Sequence, residues 1–321
     1  MKRRWKEILL AVFLGFLFPS LIFMVVDKID TPNLETVGTS ETLTNPSTAL
    51  QISVLMDNGI VEDMELESYI TCVVLREMPA DFEVEALKAQ AVVARTYALR
   101  RFESGSKHED ADVCTNSACC QAFRTPEDYI KSGGTKEKLE KVSSAVLDTA
   151  GQVLIYDGGL IEATYFSCSG GQTEDAKAVW GAEIPYLKSI ESPGEEKASH
   201  YVDTETFSLE EFSQRLGANL TGTPQNWIEK ITYTQGGGVD TMYICGQEYK
   251  GTVIRKKLGL RSTAFAITIV GQMVTVTTKG YGHRVGMSQY GADAMAISGK
   301  TYPEILAHYY QNTQLVTYNG N

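Results

Sequence analysis

The chain has 321 residues, which is long enough for one large domain or two, with a real hydrophobic core. Hydrophobic residues make up 43% of the chain and charged residues 21%, the balance of an ordinary globular protein and not of a disordered one. The formal net charge of −11 argues against a protein whose main task is to bind the phosphate backbone of nucleic acid. Neutral glycans and small molecules stay open as ligands.

Residues 1–28 have the pattern of a membrane anchor. The basic stretch KRRWK precedes an uncharged apolar run from Ile8 to Val26, which is long enough to cross a bilayer as a helix. A cleaved signal peptide is the alternative, but its apolar region is usually shorter and ends at an A-x-A-like site, which the residues after Val26 lack. We therefore expect an uncleaved anchor with a cytoplasmic N-terminus and an extracytoplasmic remainder. Residues 29–48, rich in Thr, Ser, Pro and Asn, predict a flexible tether.

The remainder begins with a hairpin and two helices. A strand, a turn at DNG (residues 57–59) and a second short strand come first. Apolar residues at helical spacing then continue up to the pair Met78 and Pro79, where proline should end the helix. Over about residues 84–102 the chain has no Gly or Pro and many strong helix formers, which predicts a second helix.

Strands and helices mix along the rest of the chain without a regular βαβ rhythm. Helical stretches alternate with short β segments, which are densest over residues 229–278. This mixture predicts an α+β fold with mixed β-sheets and packed helices, and not a doubly wound parallel sheet. We expect a single folded region over residues 49–321, with a smaller inserted lobe at about 200–262.

The stretch VVLREMPADF places a carboxylate, Glu77, at the end of an apolar helix and directly before the proline stop. A salt-bridged surface glutamate is the ordinary alternative to a functional acid here. On the next helix, Lys88 and Arg95 lie two turns apart on one stripe, beside a narrow seam of Leu and Ala residues. A solvated helix edge is the ordinary interpretation of that pair.

A group of soft ligands lies between residues 108 and 120. His108, Cys114 and Cys120 follow the spacing His-x5-Cys-x5-Cys and combine imidazole with thiolate, which suits Zn²⁺. The spacing is not that of a standard zinc finger, and cysteines outside the cytoplasm also form disulfides, so both interpretations stay open on pattern alone. The fourth ligand could be Cys119, a water or a substrate atom.

The stretch GYGHRVGMSQYGA is a second dense motif. Its glycines permit tight turns and bring His283, Ser288, Gln289 and Tyr290 together. Neutral hydrogen-bonding groups beside an aromatic ring suit a sugar better than a phosphate. The alternative is that the glycines only shape the connection to the last helix.

Five motifs occur in order: LESYITCVVLREMPADFEVEALKAQAVVARTYAL, FSCSGGQTED, VWGAEIPYLKSI, LGLRSTAF and GYGHRVGMSQYGADAMA. Together they resemble the stage II sporulation protein D family, which includes the amidase-enhancer proteins of cell-wall turnover, over about residues 50–318. The resemblance implies that residues 49–321 are the catalytic domain of a lytic transglycosylase. Such an enzyme cleaves the MurNAc–GlcNAc bonds of peptide-stripped peptidoglycan and leaves 1,6-anhydroMurNAc ends, here during engulfment of the forespore.

The resemblance also assigns site residues. Glu77 falls on the glutamate of the family's E-M-P motif, its catalytic acid, and Lys88 and Arg95 fall on basic residues that family members carry near the cleft. Arg284 stands where the family has a glycine, which predicts a changed loop or an added contact at the cleft. The substrate-binding residues that we assign with it are Lys88, Arg95, Tyr186, His283, Ser288, Gln289 and Tyr290.

Zinc and partner proteins follow from the same resemblance. His108, Cys114 and Cys120 resemble the zinc ligands of some clostridial members, which favours a structural zinc ion over a disulfide. The expected partners are peptidoglycan glycan strands, an amidase that strips stem peptides, and a membrane scaffold protein of the engulfment machinery. The expected location is the space between the two membranes of the sporulating cell.

A single acid suffices for the implied reaction. The C6 hydroxyl of N-acetylmuramic acid attacks C1, so the second carboxylate of ordinary glycosidases is not needed. We expect Glu77 to protonate the leaving oxygen, with its pKa raised by apolar neighbours such as Met78. Two alternatives remain: a non-catalytic glycan-binding activator of a cell-wall amidase, and a hydrolase that uses zinc or Cys168 with His283 as its base.

Overall fold

The computed structural model describes residues 50–319. The predicted anchor at 1–28 and tether at 29–48 lie outside these residues, so both stay predictions. Within the described part, no helix has the length and apolar character that a membrane crossing requires.

The fold begins with a small sheet of three strands. β1 (Gln51–Leu55) and β2 (Val61–Glu65) form an antiparallel hairpin, and the two-residue β3 (Val113–Cys114) pairs with β1 in parallel. The predicted turn joins the two long strands, and Gly59 supplies the positive φ of 82° that the turn needs. Because β3 follows the second helix in sequence, its pairing with β1 fixes the start of the segment that carries the cysteines.

Two helices form the centre of the main core. α1 (Leu66–Glu77) ends at Met78, whose backbone is extended because a proline follows it. α2 (Val84–Ser104) is buried along most of its length, and its predicted seam of Leu87, Ala91, Ala94 and Ala98 is fully buried. Small side chains let neighbouring elements approach α2 closely, and helices pack on it from several sides.

The elements that surround α2 come from distant parts of the chain. They are α3 (Pro126–Lys131), α4 (Lys136–Leu147), β4 (Gln152–Tyr156), β5 (Gly159–Leu160), β6 (Tyr165–Phe166), α5 (Ala176–Trp180), β13 (Met287–Ser288), α8 (Gln289–Ile297), α9 (Tyr302–Tyr309) and β14 (Gln314–Thr317). β4 lies between β14 and β5 in an antiparallel sheet, and β6 pairs with β13 in parallel.

A second cluster of buried apolar residues has members from Phe207 to Val276. It is built on two antiparallel sheets and two helices: β7 (Val202–Ser208), α6 (Leu209–Leu216), β8 (Ile228–Tyr233), β9 (Val239–Ile244), β10 (Gln247–Lys250), α7 (Gly251–Leu258), β11 (Phe265–Val270) and β12 (Met273–Lys279). The several small sheets and packed helices confirm the mixed α+β prediction. The inserted lobe at about 200–262 stays a prediction, and the second cluster extends past residue 262.

Candidate active site

Glu77 lies where two adjoining cavities of a surface cleft meet. One cavity has a volume of about 330 Å³ and the other of about 530 Å³. Both are lined by Arg76, Glu77, Ser167 and Gln289. Because these residues are shared, the two cavities adjoin at the acid and form one continuous cleft.

The end of α1 fixes the position of this acid. The backbone N–H of Met78 donates to the carbonyl of Val74 at 3.0 Å, which completes the last turn of the helix. The Met78 side chain is buried in the main core. Since Pro79 allows no further helical turn, the Glu77 side chain leaves the last turn at a defined angle. The proline stop seen in the sequence therefore has a structural consequence at the cleft.

Two donors contact the Glu77 carboxylate. The backbone N–H of Ala122 donates to Oε1 at 2.9 Å, and the side-chain amide of Gln289 donates to Oε2 at 3.4 Å. Burial raises the pKa of Glu77 above its ordinary value of 4.5, and this outweighs the two donors, the nearby Tyr165 hydroxyl and the charge of Arg76, which lower it. The acid is therefore held in place and retains a proton more readily than an exposed glutamate.

No other carboxylate among the described residues lines either cavity. The rest of the lining combines aliphatic, aromatic, hydroxyl and amide side chains with Cys120, His283 and two arginines. A general acid with no partner carboxylate does not fit the two-carboxylate arrangement of ordinary glycosidases.

The glycine-rich stretch comes to the cleft through the pairing of β6 with β13. Gln289 and Tyr290 line the cleft, and Tyr290 packs edge-on against Phe82 with ring centroids 5.0 Å apart. Ser288 is fully buried and caps α8 by accepting from the N–H of Gly291 at 3.2 Å, so it positions the helix and does not face the ligand. Gly286 is required, because a Cβ there would lie 2.1 Å from the carbonyl oxygen of Thr164.

His283 lines the larger cavity as a neutral ring. Its Nδ1 accepts from the N–H of Val285 at 3.1 Å, and its ring packs against Trp180 and Phe166. Burial, together with the nearby charge of Arg255, lowers the pKa of His283 from 6.5 to about 4. A neutral imidazole can hydrogen-bond to a sugar, but it is a weak base.

Besides Ser288, three of the assigned substrate-binding residues do not line this cleft. Arg95 is fully buried and is engaged by Glu67, with Nε to Oε1 at 2.9 Å, and by backbone carbonyls. Lys88 forms ion pairs at 3.2 Å with both Glu85 and Asp148. The expectation that this basic pair lies near the acid is corrected, because the stripe that carries it faces α1, α4 and their connections and not the cleft.

Tyr186 is also placed elsewhere. It is buried, its hydroxyl accepts from the N–H of Glu162 at 2.9 Å, and its ring packs on Tyr156. The side chain is therefore occupied within the core, and the cavities around Glu77 are lined by other residues.

Arg284 points away from the cleft. It has a φ of 65°, a conformation that suits the glycine found there in the resembling family, and its guanidinium is buried. It pairs with the buried Glu174 at 3.3 Å and donates to the carbonyls of Ser169, Gln172 and Gly236. The expected added contact at the cleft is thus replaced by a contact between the glycine-rich stretch and the β8–β9 turn.

A compact His/Cys group lies beside the larger cavity. The ligand atoms of His108, Cys114, Cys119 and Cys120 all lie within 4.8 Å of one another. The Nε2 of His108 is 3.6 Å from both Cys119 Sγ and Cys120 Sγ, which are 4.0 Å apart. A tetrahedral zinc ion with ordinary bond lengths requires N···S edges of about 3.5 Å and S···S edges of about 3.8 Å. The group therefore has the geometry to hold such a metal, with Cys119 as fourth ligand, and the described cysteines form no disulfide.

Cys168 is unsuited to the role of nucleophile. Its thiol is buried and donates to Oε2 of Glu195 at 3.1 Å. Burial and this carboxylate raise the pKa of Cys168 to about 12, which keeps the sulfur protonated. The thiol hypothesis is therefore disfavoured.

Several cleft residues were missed from the sequence: Arg76, Ala122, Arg124, Tyr165 and Ser167. Arg76 directly precedes the predicted acid in the sequence, and this proximity is the signal that could have indicated it. Ala122 acts through its backbone, and Tyr165 and Ser167 stand on a strand pair that no local pattern indicates.

These features define an α+β protein with one half-buried acid of raised pKa in an open cleft. The family model described as Stage II sporulation protein matches residues 57–156. The chain is 42% identical over 286 residues to Stage II sporulation protein D of Bacillus amyloliquefaciens, which covers 88% of this chain and 82% of that protein. It is 45% identical over 263 residues to Stage II sporulation protein D of Bacillus subtilis (strain 168), covering 80% of this chain and 76% of that protein. The chain therefore belongs to the stage II sporulation protein D family.

A more distant relative has a different name. The Amidase enhancer of Bacillus subtilis (strain 168) is 30% identical over 300 residues, which cover 77% of this chain but only 40% of that protein. Membership of the family supports a role for this chain in sporulation and the cell wall.

Proposed function

We propose that this protein is a lytic transglycosylase that cleaves the MurNAc–GlcNAc bonds of peptide-stripped peptidoglycan during sporulation. The observation that carries the proposal is the single cleft carboxylate among the described residues, Glu77, which is held by two donors and buried enough to raise its pKa. The proposal includes an N-terminal membrane anchor and an extracytoplasmic catalytic domain. The family membership supports the cell-wall role.

The reaction needs one group that first gives and then takes a proton. Glu77 protonates the leaving glycosidic oxygen, and as a carboxylate it then accepts the proton of the C6 hydroxyl that attacks C1. The bond between C1 and the leaving oxygen breaks, and a new bond joins the C6 oxygen to C1. Glu77 ends protonated again. The donors from Ala122 and Gln289 stabilise the carboxylate between the two proton transfers.

The metal that best fits the His/Cys group is zinc, held by His108, Cys114, Cys119 and Cys120. Four protein ligands leave no position for water, so we assign it a structural role. It would hold the segment that leads to Ala122, whose N–H contacts the acid. An amidase and a membrane scaffold protein are the partners that we propose, and the name of the amidase-enhancer relative supports the first.

The direct test is the full-length protein in detergent with peptide-free glycan strands. We expect anhydromuramyl products from the wild type, none from Glu77→Gln, and undiminished products from Cys168→Ser. A wild type that yields no such products would exclude the proposal. Activity that survives Glu77→Gln but disappears in Cys168→Ser would favour a thiol hydrolase instead.

The second candidate is a non-catalytic activator of an amidase, which the 30% identical relative favours by its name. Under this hypothesis the wild type binds the strands without changing them and raises the rate at which a cell-wall amidase releases stem peptides. Glu77→Gln would then leave that stimulation intact.

A further inference from the structure

Arg76 and Arg124 line the cleft without a partner of their own. Every other arginine in residues 50–319 donates its side chain to a carboxylate or a backbone carbonyl of the protein. Within that same range, neither Arg76 nor Arg124 makes a side-chain hydrogen bond or an ion pair, and both line the 330 Å³ cavity beside Glu77. Two arginines without a hydrogen-bond or ion-pair partner among the described residues therefore line one cavity.

The two side chains come from different elements. Arg76 is exposed on the last turn of α1, one residue before Glu77. Arg124 is half-buried directly before α3, and its backbone N–H is held by the carbonyl of Cys72 at 3.0 Å. Their convergence is thus set by how α1 packs against the segment that follows the His/Cys group.

The lack of a protein partner for these two side chains within residues 50–319 is informative, because the chain is acidic overall. Asp and Glu number 40 against 29 Lys and Arg, so carboxylates are abundant, yet none of the described ones other than Glu77 lines this cavity. A planar guanidinium matches a carboxylate or a phosphate through parallel N–H donors. A cavity that offers such donors, and whose one carboxylate from the described residues is already hydrogen-bonded by Ala122 and Gln289, is suited to an anionic group of a ligand.

We propose that Arg76 and Arg124 form a subsite for the lactyl carboxylate of N-acetylmuramic acid, and so select strands whose stem peptides have been removed. The assignment rests on the proposed function. In intact peptidoglycan this carboxyl is joined to the stem peptide as an uncharged amide, and removal of the peptide frees it as an anion. The lactyl group is on C3 of the same ring whose C1 is attacked, which agrees with arginines that line the same cavity as the acid.

Binding of the anion also acts on the acid. The charge of Arg76 lowers the pKa of Glu77 in the free protein. A carboxylate that pairs with Arg76 offsets this charge, so the Glu77 proton is held more firmly when a peptide-free strand is bound. A strand with its peptide in place has an uncharged amide at the lactyl position.

The test uses binding by the full-length Glu77→Gln variant, so that it does not depend on turnover. One ligand is peptide-free strands, and the other is the same strands with their lactyl carboxylates converted to methyl amides. We expect about 10-fold tighter binding of the charged strands, the value of one or two charge-assisted hydrogen bonds. Adding Arg76→Gln and Arg124→Gln should abolish this preference, whereas Arg215→Gln on α6 should preserve it.

Equal binding of both ligands by the parent, or a preference that persists in the double arginine variant, would overturn the proposal. If thermal unfolding shows that the double variant is not folded, Arg76→Gln alone decides, because its exposed side chain can be replaced without a buried gap. Inorganic phosphate that competes as well as free N-acetylmuramic acid at equal ionic strength would exclude the lactyl group as the specific ligand. Anhydromuramyl products from the wild type test the reaction separately.

Discussion

The backbone N–H of Ala122 donates to Oε1 of Glu77 at 2.9 Å, and Ala122 stands two residues after Cys120 of the His/Cys group. The segment between them has no regular secondary structure. A metal ion bound by the four ligands would therefore limit how far this donor can move from the acid.

Loss of the metal should thus affect both stability and activity. We expect Cys119→Ser to reduce the zinc content of the purified full-length protein, to lower its midpoint of thermal unfolding and to reduce product formation several-fold. Cys245→Ser is the matched control, since Cys245 lies outside the group. Measurements of metal content, unfolding and turnover check the three effects, and a Cys119→Ser protein that retains zinc with unchanged affinity would refute a four-ligand site.

Glu77→Gln should reduce turnover by about 10²- to 10⁴-fold, the usual contribution of a general acid. It should also stabilise the fold at neutral pH. Burial raises the pKa of Glu77 above 4.5, so ionisation costs the folded state free energy at every pH above that raised value. This cost declines as the pH falls through the folded-state pKa. The stability advantage of Glu77→Gln over the wild type should decline with it.

Unfolding by urea at a series of pH values measures this difference. The exposed Glu62 on β2 provides the control, because Glu62→Gln removes a carboxylate that is not buried. A Glu77→Gln protein that is less stable than the wild type at neutral pH would argue that the acid stabilises the fold, contrary to its burial.

Acidification should destabilise the protein through His283. Its folded-state pKa of about 4 lies below the ordinary 6.5, so between these values the unfolded chain takes up a proton that the folded protein excludes. Stability should fall by on the order of 3 kcal/mol as the pH drops through this window and then level off. His283→Phe should remove this part of the pH dependence, whereas His308→Gln on α9 should not, as pH-resolved unfolding can show.

The buried ion pair of Arg284 and Glu174 leads to a prediction about stability. Arg284→Met leaves the Glu174 carboxylate buried without its cation, which should cost about 3 kcal/mol or more. Arg284→Gly and Arg284→Ala lose the same cation and leave nearly the same space, but only Gly relieves the left-handed backbone at φ 65°, so it should be about 1 kcal/mol more stable than the Ala variant. Denaturant unfolding should give the order wild type, Gly, Ala, and an inverted order of these two variants would contradict the argument.

The sequence predicted the parts of the site that depend on local pattern. Helical spacing followed by proline placed Glu77 at the end of α1, and the glycine-rich stretch brought Gln289 and Tyr290 to the cleft together. The regular spacing of His108, Cys114 and Cys120 indicated a compact group, because neighbours in sequence are constrained to be neighbours in space.

Local pattern could not decide which partners the charged side chains would take. A helical stripe shows that Lys88 and Arg95 share a face, but only the packing of α2 against elements far away in sequence shows that this face meets Glu67 and Asp148. In the same way, the free guanidinium groups of Arg76 and Arg124 are visible only once α1 and α3 are in place.

By itself, then, the sequence determined an acid at a rigid helix end, since a proline forbids the next helical hydrogen bond whatever surrounds it. Only the tertiary structure decided how dry that acid is and which charges and donors face it. The pKa of Glu77 depends on burial, on the N–H of Ala122 and on the charge of Arg76, and burial and the Ala122 contact exist only when segments distant in sequence pack together.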